Sequence, residues 1–409
     1  MRILLSTIGS RGDIQPMVAL ALQLKALGQD VRLCVPPDFQ DWIESYGISV
    51  TPIGPQVRPF ATSKPADVTA KVSPEQQRQM MIEGTVVTQF ETIMAAAQGY
   101  DIIVGATALQ VAAPSVAEKL GIPYIFVAYS PAVLPSRHHA PPVLGLLGDK
   151  PASTKTDYSD LWIQDAQRWK GMWSAPLNSQ RTALHLSPVT DVRGYILTDQ
   201  PWLAADPVLA PWPDPADESV FQTGAWILPD ERPLSPELEA FLEAGEPPVY
   251  FGFGSTRAPE GLSQMMVQTA RTLGRRVIMS EGWSDLSFMA DQPDCLVIGD
   301  ANLQALFKRV AAVVHHGGAG TTTATARAGA PQLVIPQRYD QFYWAGRVQQ
   351  LGIGTALISG TPTRDSLTSA LEQSLQPDVI ARAQSMATAV RNDGTQIAAQ
   401  RLIAMVPQR

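Results

Sequence analysis

The chain has 409 residues and a formal net charge of −7, with 45% hydrophobic and 17% charged residues. This length predicts roughly two to three domains, and the composition excludes bulk disorder. The acidic balance argues against nucleic-acid binding and attachment to anionic membranes, because both require a cationic surface. No apolar run reaches the roughly 18 residues of a membrane span, and the first residues lack the apolar stretch of a secretion signal.

The first half of the chain alternates short strands with helices. Strands are predicted over residues 3–5, 31–35, 101–105 and 122–127, and helices over 16–27, 39–46 and 111–120. Pro16 is expected near the start of the first helix, Gly28 just after its end, and residues 6–13 in a loop. This alternation is typical of a parallel sheet with helices on both faces.

The middle of the chain is irregular in pattern. Residues 201–236 are rich in proline, which predicts an interdomain linker without regular structure that leads into a short helix over 236–242. The alternation then restarts, with strands at 249–253, 276–279, 295–298, 312–315, 332–335 and 354–357. We therefore predict a first Rossmann-like domain over 1–205, a linker over 206–245, a second Rossmann-like domain over 246–390, and a last helix within 391–409 that packs back on the first domain.

Cys34 and Cys295 lie in separate apolar runs. Their spacing fits neither a metal site nor a disulfide framework, so we expect two buried free thiols and a cytoplasmic protein.

The strongest motif is HHGGAGTT at residues 315–322, between a predicted strand and an alanine-rich helix. Glycines allow the backbone to approach an anion, and the N–H groups at a helix start point at it. His316, Thr321 and Thr322 can add donors. The alternative is a tight turn with a threonine cap. The motif is not a Walker loop, because Gly-Lys-Ser/Thr is missing.

Three weaker motifs accompany this one. GFGSTR at 252–257 fails the dinucleotide pattern at Arg257, so Gly254 and Ser255 could instead approach a phosphate or form a structural turn. GSRGD at 9–13 places Asp13 before a helix, where it is either a cap or a general base, while Arg11 could reach phosphate. PQRYDQ at 336–341 offers Asp340 and Gln341 to sugar hydroxyls, unless the aspartate only caps the next helix.

Together these motifs carry a family resemblance. HHGGAGTT followed by PQ-x-x-DQ resembles the donor-binding signature of inverting glycosyltransferases with the GT-B fold, which use nucleotide diphosphate sugars. The segments 177–181, 198–211, 222–242 and 391–395 resemble the glycopeptide-antibiotic branch, of the vancomycin type, whereas the opening segment is similar to sterol glucosyltransferases. The resemblance spans nearly the whole chain and implies two doubly wound α/β domains that face each other across a cleft.

The resemblance also implies roles for single residues. Asp13 matches the catalytic base. Asp340 and Gln341 match residues that hold the donor sugar, and the GDANL segment at 299–303 stands where plant members carry a base-stacking tryptophan. This implies a nucleobase site at Gly299, Asn302 and Leu303. The implied diphosphate-binding residues are Ser10, Arg11, Gly12, Ser255, His316, Gly317, Gly318, Gly320 and Thr321.

The implied reaction moves a hexose, expected to be glucose, from a UDP- or dTDP-sugar to a hydroxyl of a hydrophobic aglycone, glycopeptide-like or polyketide or phenolic. No cofactor or metal is expected, because the metal-binding Asp-x-Asp of GT-A enzymes is missing. Trp162, Trp169 and His138 are candidates for acceptor binding, although the tryptophans could equally be core packing.

Several alternatives stay open on the residues. One is a sterol or lipid glucosyltransferase. Others are a nucleotide-sugar epimerase, an NAD-dependent oxidoreductase, or an inactive binder of nucleotide sugars. The sequence predicts a monomer or weak homodimer without nucleic-acid partners.

Overall fold

The computed structural model describes residues 1–57, 73–107, 109–142, 157–214, 216–255, 261–281, 292–358 and 361–405. Two parallel sheets organise these residues, one of seven strands and one of six. Helices cover both faces of each sheet, since separate core clusters lie on the two sides. The expected α/β class with two doubly wound domains is therefore confirmed.

The first sheet has the strand order β3-β2-β1-β4-β5-β6-β7. Its strands are β1 (Arg2–Thr7), β2 (Asp30–Val35), β3 (Ser49–Pro52), β4 (Ile102–Ala106), β5 (Tyr124–Ala128), β6 (Trp202–Leu203) and β7 (Phe221–Gln222). The helices of this domain are α1 (Arg11–Ala26), α2 (Gln40–Glu44), α3 (Pro74–Ala96), α4 (Ala113–Leu120), α5 (Tyr158–Ala183) and α6 (Val192–Leu197).

The first helix begins earlier than predicted. Ser10 adopts extended backbone and is the N-cap of α1, so Arg11, Gly12 and Asp13 lie in its first turn and not in a loop. Pro16 consequently lies inside the helix. Its missing N–H removes one intrahelical hydrogen bond, the one that residue 16 would otherwise donate to the Gly12 carbonyl. Gly28 follows the C-cap with φ +75°, as expected for a helix end.

The proline-rich segment is more ordered than predicted. Strands β6 and β7 lie within it, and both belong to the first sheet. The expectation that residues 201–236 form no regular structure is therefore wrong. Each of these strands has only two residues. A few parallel backbone pairings are therefore enough to form them, and the short stretches between the prolines can supply these pairings. The first part of the predicted linker thus completes the first domain.

The second sheet has the strand order β10-β9-β8-β11-β12-β13. Its strands are β8 (Val249–Gly252), β9 (Val277–Ser280), β10 (Cys295–Ile298), β11 (Ala312–His315), β12 (Gln332–Val334) and β13 (Gly354–Ala356). The helices that follow the first domain are α7 (Pro236–Glu243), α8 (Leu262–Thr272), α9 (Leu303–Leu306), α10 (Ala319–Ala328), α11 (Gln341–Gln350), α12 (Arg364–Ser374), α13 (Pro377–Ala389) and α14 (Gly394–Met405).

The two domains are joined by packing as well as by the chain. Ala398, Ala399 and Leu402 of α14 lie in the same buried cluster as α1 of the first domain. A second cluster contains Phe126 of β5 together with Trp344 of α11 and is continuous across the domain boundary. Polar contacts follow the same path. For example, the Arg347 guanidinium donates to the Leu209 carbonyl at 2.7 Å.

Each sheet has a switch point where the order of its strands reverses. The neighbours at this point are β1 and β4 in the first sheet, and β8 and β11 in the second. Ligands of doubly wound folds bind outside the carboxyl ends of the strands at such points. Strand β1 leads to Ser10 and Asp13, and β11 leads to the glycine-rich loop, so both switch points carry motifs found in the sequence.

Both cysteines have free thiols. Cys34 is buried as predicted, whereas Cys295 is only half-buried, because its strand β10 lies at the edge of the second sheet. Among the described helices, none is long and apolar enough to cross a membrane.

Candidate active site

The glycine-rich loop connects β11 to α10 at the switch point of the second sheet. Gly318, in extended backbone, is the N-cap of α10 and offers no side chain to the first turn. The first N–H groups of a helix have no intrahelical acceptor, and the helix dipole adds a positive potential there. A Cβ on Gly320 would meet no described atom within 4 Å. The loop therefore offers N–H groups and open space to an anion.

The two threonines of the loop differ in position. Thr322 is buried, and its hydroxyl donates to the Gly318 carbonyl at 2.9 Å. This hydrogen bond stabilises the start of α10, and it uses the Thr322 hydroxyl inside the helix. Thr321 is half-buried at the third position of the helix. Thr321 is thus the threonine available to an anion at this helix end.

The two histidines also have different surroundings. His315 is buried; its Nδ1 accepts from the Gly317 N–H at 3.0 Å, and its Nε2 lies 2.8 Å from the Gln332 Oε1. Because Nδ1 accepts, Nε2 carries the proton and donates to Gln332. Burial lowers the pKa of His315 to about 4. His315 is therefore a neutral histidine that shapes the loop.

His316 lies between the two glycine-containing loops of the second domain. A Cβ on Gly318 would lie 2.6 Å from its Nε2, and one on Gly254 would lie 3.4 Å from its Cε1. Its Nδ1 is buried and has no hydrogen-bond partner within the described ranges. Burial, and to a smaller extent the neighbouring His315 and Arg338, lower the pKa of His316 to about 3. A neutral histidine with a free ring nitrogen can donate to a phosphate oxygen.

Gly317 brings the glycine-rich loop against the next strand–helix connection. Its φ is +92°, and an added Cβ would lie 2.8 Å from the Val334 Cγ1 and 3.0 Å from the Gln341 carbonyl oxygen. Only glycine fits this conformation and this contact. The close approach places the glycine-rich loop directly beside the PQRYDQ segment.

The PQRYDQ segment turns sharply before α11. The Gln341 Oε1 accepts from the N–H groups of Gln337 at 2.8 Å and Arg338 at 3.1 Å. Tyr339 adopts the left-handed region with φ 54°, a conformation that is costly for a residue with a Cβ. The oxygen of the Gln341 side chain is therefore used inside the loop, which leaves its amide N–H groups for a ligand.

Asp340 occupies the N-cap position of α11, but its side chain makes no capping bond. Its Oδ2 instead accepts from the Trp344 indole N–H at 2.9 Å. Burial and the charge of Asp13 raise the pKa of Asp340 to about 6. The simple capping alternative is therefore wrong for this residue.

Asp13 lies at the N-terminal turn of α1 in the first domain. Its Oδ2 accepts from the Ser10 N–H at 2.7 Å and from the Ser10 hydroxyl at 3.1 Å. A Cβ on Gly9 would lie 2.2 Å from the same oxygen, so the residue at position 9 must be glycine. The Tyr129 hydroxyl donates to the Asp13 backbone carbonyl at 3.0 Å.

Charges from both domains meet at Asp13. Burial raises the pKa of Asp13, while the Ser10 hydrogen bonds and the positive charge of Arg338 act in the opposite direction. The pKa of Tyr339 is raised, chiefly by burial and in part by the Asp13 charge. The charges of Asp13 in the first domain and of the segment with Arg338, Tyr339 and Asp340 in the second domain therefore act on one another.

The remaining diphosphate candidates lie on both sides of this site. Ser255 is half-buried and follows Gly254, the neighbour of His316. Gly12 is exposed in the first turn of α1. Arg11 is engaged within its own domain, since its guanidinium lies 4.1 Å from the Trp42 ring centroid and donates to Gln15 at 3.3 Å. The structure therefore does not direct Arg11 at the phosphate loop, because stacking on an aromatic ring holds it.

The nucleobase candidates are only partly available. Asn302 is buried; its amide donates to the carbonyls of Asp230 at 2.9 Å and Arg232 at 2.7 Å, and its Oδ1 caps α9. The linker therefore occupies the side-chain amide of Asn302, and the nucleobase site at this segment stays a prediction. Gly299 is exposed and Leu303 is half-buried beside it.

The acceptor candidates do not come together in one groove. Trp162 is buried and donates to the His139 carbonyl at 2.9 Å, and Trp169 packs against the core of the first domain. His138 is exposed and accepts from Arg137 at 3.3 Å. The packing alternative describes both tryptophans better than a ligand groove, because Trp162 is buried and Trp169 packs against a hydrophobic core cluster.

Two residues near the domain boundary are not singled out by the sequence. The PQRYDQ motif indicates its aspartate and glutamine as ligand-binding residues, whereas the effect of the Arg338 charge on Asp13 arises only in the folded chain. His139 lies 6.0 Å from the ring of Trp162 and 6.1 Å from that of Tyr343, which joins the first domain to α11. The repeated histidines were the sole sequence signal for His139, and they do not distinguish it from His138.

Family models match both domains. The glycosyltransferase family 28 N-terminal domain matches residues 3–136, and the C-terminal domain of erythromycin biosynthesis protein CIII-like proteins matches residues 265–405. Glycosyltransferase GtfE of Amycolatopsis orientalis is 50% identical over 408 residues, covering 99% of this chain and 98% of its own length. The chain belongs to this family of glycosyltransferases.

Other similar proteins and solved structures are glycosyltransferases as well. Vancomycin aglycone glucosyltransferase of the same organism is 48% identical, with 98% of this chain and 97% of that protein covered. Among solved structures, the glycosyltransferase of kitacinnamycin superposes with a TM-score of 0.72 at 19% identity, with 99% of each chain covered. The calicheamicin glycosyltransferase CalG4 gives 0.69 at 17% identity, covering 98% of this chain and 97% of that one. The GT-B expectation is confirmed, and the oxidoreductase and epimerase alternatives lose their support.

Proposed function

We propose that this glycosyltransferase moves glucose from UDP-glucose or dTDP-glucose to a hydroxyl group of a hydrophobic, glycopeptide-like aglycone, with inversion at the anomeric carbon. The identity of the sugar is supported by the vancomycin aglycone glucosyltransferase, at 48%, which exceeds the 43% shared with dTDP-epi-vancosaminyltransferase. The curated sterol 3-beta-glucosyltransferase of Kluyveromyces lactis is 30% identical, so a sterol acceptor has weaker support.

One observation carries the proposal. The charge of Asp13 on the first domain acts on Asp340 of the second domain, and the segment that holds Asp340 and Gln341 packs against Gly317 of the glycine-rich loop. In the proposed reaction Asp13 takes the proton of the acceptor hydroxyl as general base. Asp340 and the amide of Gln341 hold the hydroxyl groups of the donor sugar. The sugar would then lie between the base and the phosphate loop, so that attack comes from the side opposite the leaving group.

The glycine-rich loop is proposed to stabilise the leaving group of the reaction. The diphosphate gains negative charge as the glycosidic bond breaks. The N–H groups of Gly318 and Gly320, the His316 ring and the dipole of α10 are proposed to stabilise that charge. Preorganised dipoles of this kind are usually the largest single contribution to catalysis. Because these groups are already in place, the proposed reaction does not depend on a divalent metal.

Thermal unfolding tests the donor site. The protein is heated with UDP, dTDP, their glucose derivatives and NADH in parallel. A ligand at about 100 times its dissociation constant should add roughly 2.7 kcal/mol to the free energy of unfolding. We expect stabilisation by UDP or dTDP and none by NADH. Stabilisation by NADH alone would overturn the proposed donor site.

Product analysis tests the transfer itself. The protein is incubated with the stabilising glucose donor and a glycopeptide aglycone, with a sterol as comparison acceptor, in buffer that contains EDTA. We expect a β-glucoside of the aglycone from the α-linked donor, identified by its anomeric proton coupling. An α-glucoside would contradict inversion, and a requirement for added metal would contradict the metal-independent reaction.

A further inference from the structure

His139 of the first domain lies at the boundary with the second domain, among three aromatic rings. Its ring centroid is 6.0 Å from that of Trp162 and 6.3 Å from that of Trp212, and both contacts are edge-to-face. The third ring belongs to Tyr343 of α11 in the second domain, at 6.1 Å and also edge-to-face. His139 is therefore a side chain of the first domain whose ring contacts a ring of the second.

Hydrogen bonds fix the orientation of His139. Its Nδ1 lies 3.3 Å from the Ala140 carbonyl oxygen, so this nitrogen carries the proton and donates. Its backbone carbonyl accepts from the Trp162 indole N–H at 2.9 Å. The ring Nε2 is buried and has no hydrogen-bond partner among the residues that the structure describes. Because an unpaired buried nitrogen costs free energy, an apolar side chain would serve simple packing better at this position.

Tyr343 connects this contact to the proposed sugar site. Tyr343 and Trp344 are consecutive residues of α11, and their rings pack edge-to-face with centroids 5.7 Å apart. The Trp344 ring is buried in the hydrophobic cluster that both domains share, together with Phe126 of β5. Its indole N–H donates to the Asp340 Oδ2 at 2.9 Å. A continuous series of contacts thus runs from His139 to the Asp340 carboxylate.

This series makes the direction of the Asp340 carboxylate depend on the packing between the domains. The Trp344 indole holds Oδ2 and thereby restricts the direction of the other oxygen. A ring that is packed on both sides has few alternative positions, since protein interiors are close-packed. Removal of the His139 ring gives Tyr343 space to move, and the adjacent Trp344 then loses part of its support. The geometry of the sugar site would change although no residue that touches the sugar has been replaced.

We propose that His139 is a positioning residue for glycosyl transfer. Acting through the Tyr343–Trp344 pair, it couples the packing of the two domains to the orientation of Asp340. The inference rests on the proposed function, in which Asp340 holds the donor sugar, and adds a control from the first domain to it. The proposed phosphate contacts of the glycine-rich loop are not part of this series. We therefore expect a selective effect on the glucose group of the donor and none on the nucleotide.

The first test measures the ratio of two dissociation constants, that of free UDP or dTDP and that of its glucose derivative. Calorimetry gives both for wild type, His139→Leu and His139→Phe. We expect His139→Leu to lower this ratio roughly two- to tenfold, the range of one edge-to-face ring pair, with unchanged affinity for the free nucleotide. His139→Phe keeps a ring and should restore most of the loss. His185→Leu, which replaces an exposed histidine of the same domain, is the matched control.

A double-mutant cycle tests the series of contacts itself. His139→Leu and Tyr343→Leu each remove the same ring contact, so the double variant should lose no more than the larger single loss. Trp344→Phe keeps a ring and removes the indole N–H. It should lower the same ratio about tenfold, the loss expected for one hydrogen bond to a charged group. Tyr343→Leu also tests the contact from the second domain if a His139 variant does not fold.

The Asp340→Asn variant separates the inference from the proposed function. If it lowers the ratio while His139→Leu and Tyr343→Leu keep the wild-type value, the inference is overturned and the proposed sugar site stands. Additive losses in the double variant, or equal losses for the free nucleotide and its glucose derivative, would also overturn the inference. If Asp340→Asn itself keeps the wild-type ratio, the proposed sugar site fails and the inference fails with it.

Discussion

Ser10 holds Asp13 through two hydrogen bonds to a single oxygen. The backbone N–H and the hydroxyl of Ser10 both donate to the Asp13 Oδ2, at 2.7 and 3.1 Å. Both Ser10 bonds go to Oδ2, so Oδ1 is the oxygen that we propose receives the proton of the acceptor. The same pair starts helix α1, which means that the helix cap and the proposed base are one structure.

This pair predicts the pH dependence of transfer. Burial raises the pKa of Asp13, and the Ser10 bonds counteract that effect. A general base works only when ionised, so activity should fall as the pH falls through this raised pKa. Ser10→Ala removes the hydroxyl bond and keeps the N–H bond; we expect its acid limb at higher pH than in the wild type. Ser10→Thr, which keeps the hydroxyl, is the control. Superimposable pH profiles of wild type and Ser10→Ala would contradict this assignment.

The neighbouring histidines predict opposite phenotypes. His315→Ala removes the partner of the buried Gln332 amide and of the Gly317 N–H, so we expect a loss of about 1–3 kcal/mol in the free energy of unfolding. His316→Ala removes a side chain with a free Nδ1, so stability should change little while nucleotide diphosphate binding weakens about 10- to 100-fold. Urea unfolding and calorimetry measure the two effects. Unaltered nucleotide affinity in His316→Ala would mean that the phosphate site is misplaced.

Two glycines of the loop form a second matched pair. An alanine at Gly317 would need φ +92° and would collide with Val334 and Gln341, so we expect a loss of about 1–3 kcal/mol of stability. An alanine at Gly320 meets no described atom and should stabilise the helix by about 0.5–1 kcal/mol. If the diphosphate lies against Gly320, this variant should bind UDP or dTDP more weakly despite its higher Tm. Nucleotide binding equal to wild type would show that the anion lies elsewhere.

Asp340 predicts a conflict between stability and function. Its pKa is raised from 3.8 to about 6 by burial and by Asp13, so the folded protein holds this proton more tightly than the unfolded chain. The contribution of Asp340 to stability is therefore present below about pH 3.8 and is lost as the pH rises through about 6. We expect Asp340→Asn to be more stable than wild type at pH 7.5, by a margin that shrinks towards pH 4.

The same variant should lose the sugar contact. Affinity for UDP-glucose or dTDP-glucose should fall towards that of the free nucleotide, while affinity for the free nucleotide stays at the wild-type level. Calorimetry at pH 7.5 with both ligands measures the difference. A variant that still prefers the sugar nucleotide as strongly as wild type would remove Asp340 from the sugar site.

Local patterns were sufficient to predict much of the fold. The strands predicted at 295–298 and 312–315 coincide with β10 and β11, because short apolar runs between polar segments have one simple interpretation. The start of α1 was missed although Ser10 and Asp13 have the spacing of a capping box. The two glycines of GSRGD favour a loop over these residues. This pattern conceals the spacing of three between Ser10 and Asp13, which is typical of a helix start.

The site was less predictable because its parts come from distant segments. Arg338 and Asp13 are 325 positions apart (338 − 13), and their charges act on each other only when the two domains pack. Asn302 and Trp162 bear polar groups that suit ligands. In the structure, however, the Asn302 amide donates to carbonyls of the linker and the Trp162 indole donates to the His139 carbonyl. Such competition between packing and binding depends on tertiary contacts and leaves no mark in residue spacing.

The most direct test of the account compares wild type with Asp13→Asn. Asparagine can still accept from the Ser10 N–H, so the start of α1 should be kept. Nucleotide affinity and the rate of glucose transfer are measured on the same preparations. We predict unchanged affinity for UDP or dTDP and a loss of about 100- to 10,000-fold in kcat, the usual contribution of a general base. Undiminished transfer by Asp13→Asn would contradict the central claim that this carboxylate activates the acceptor.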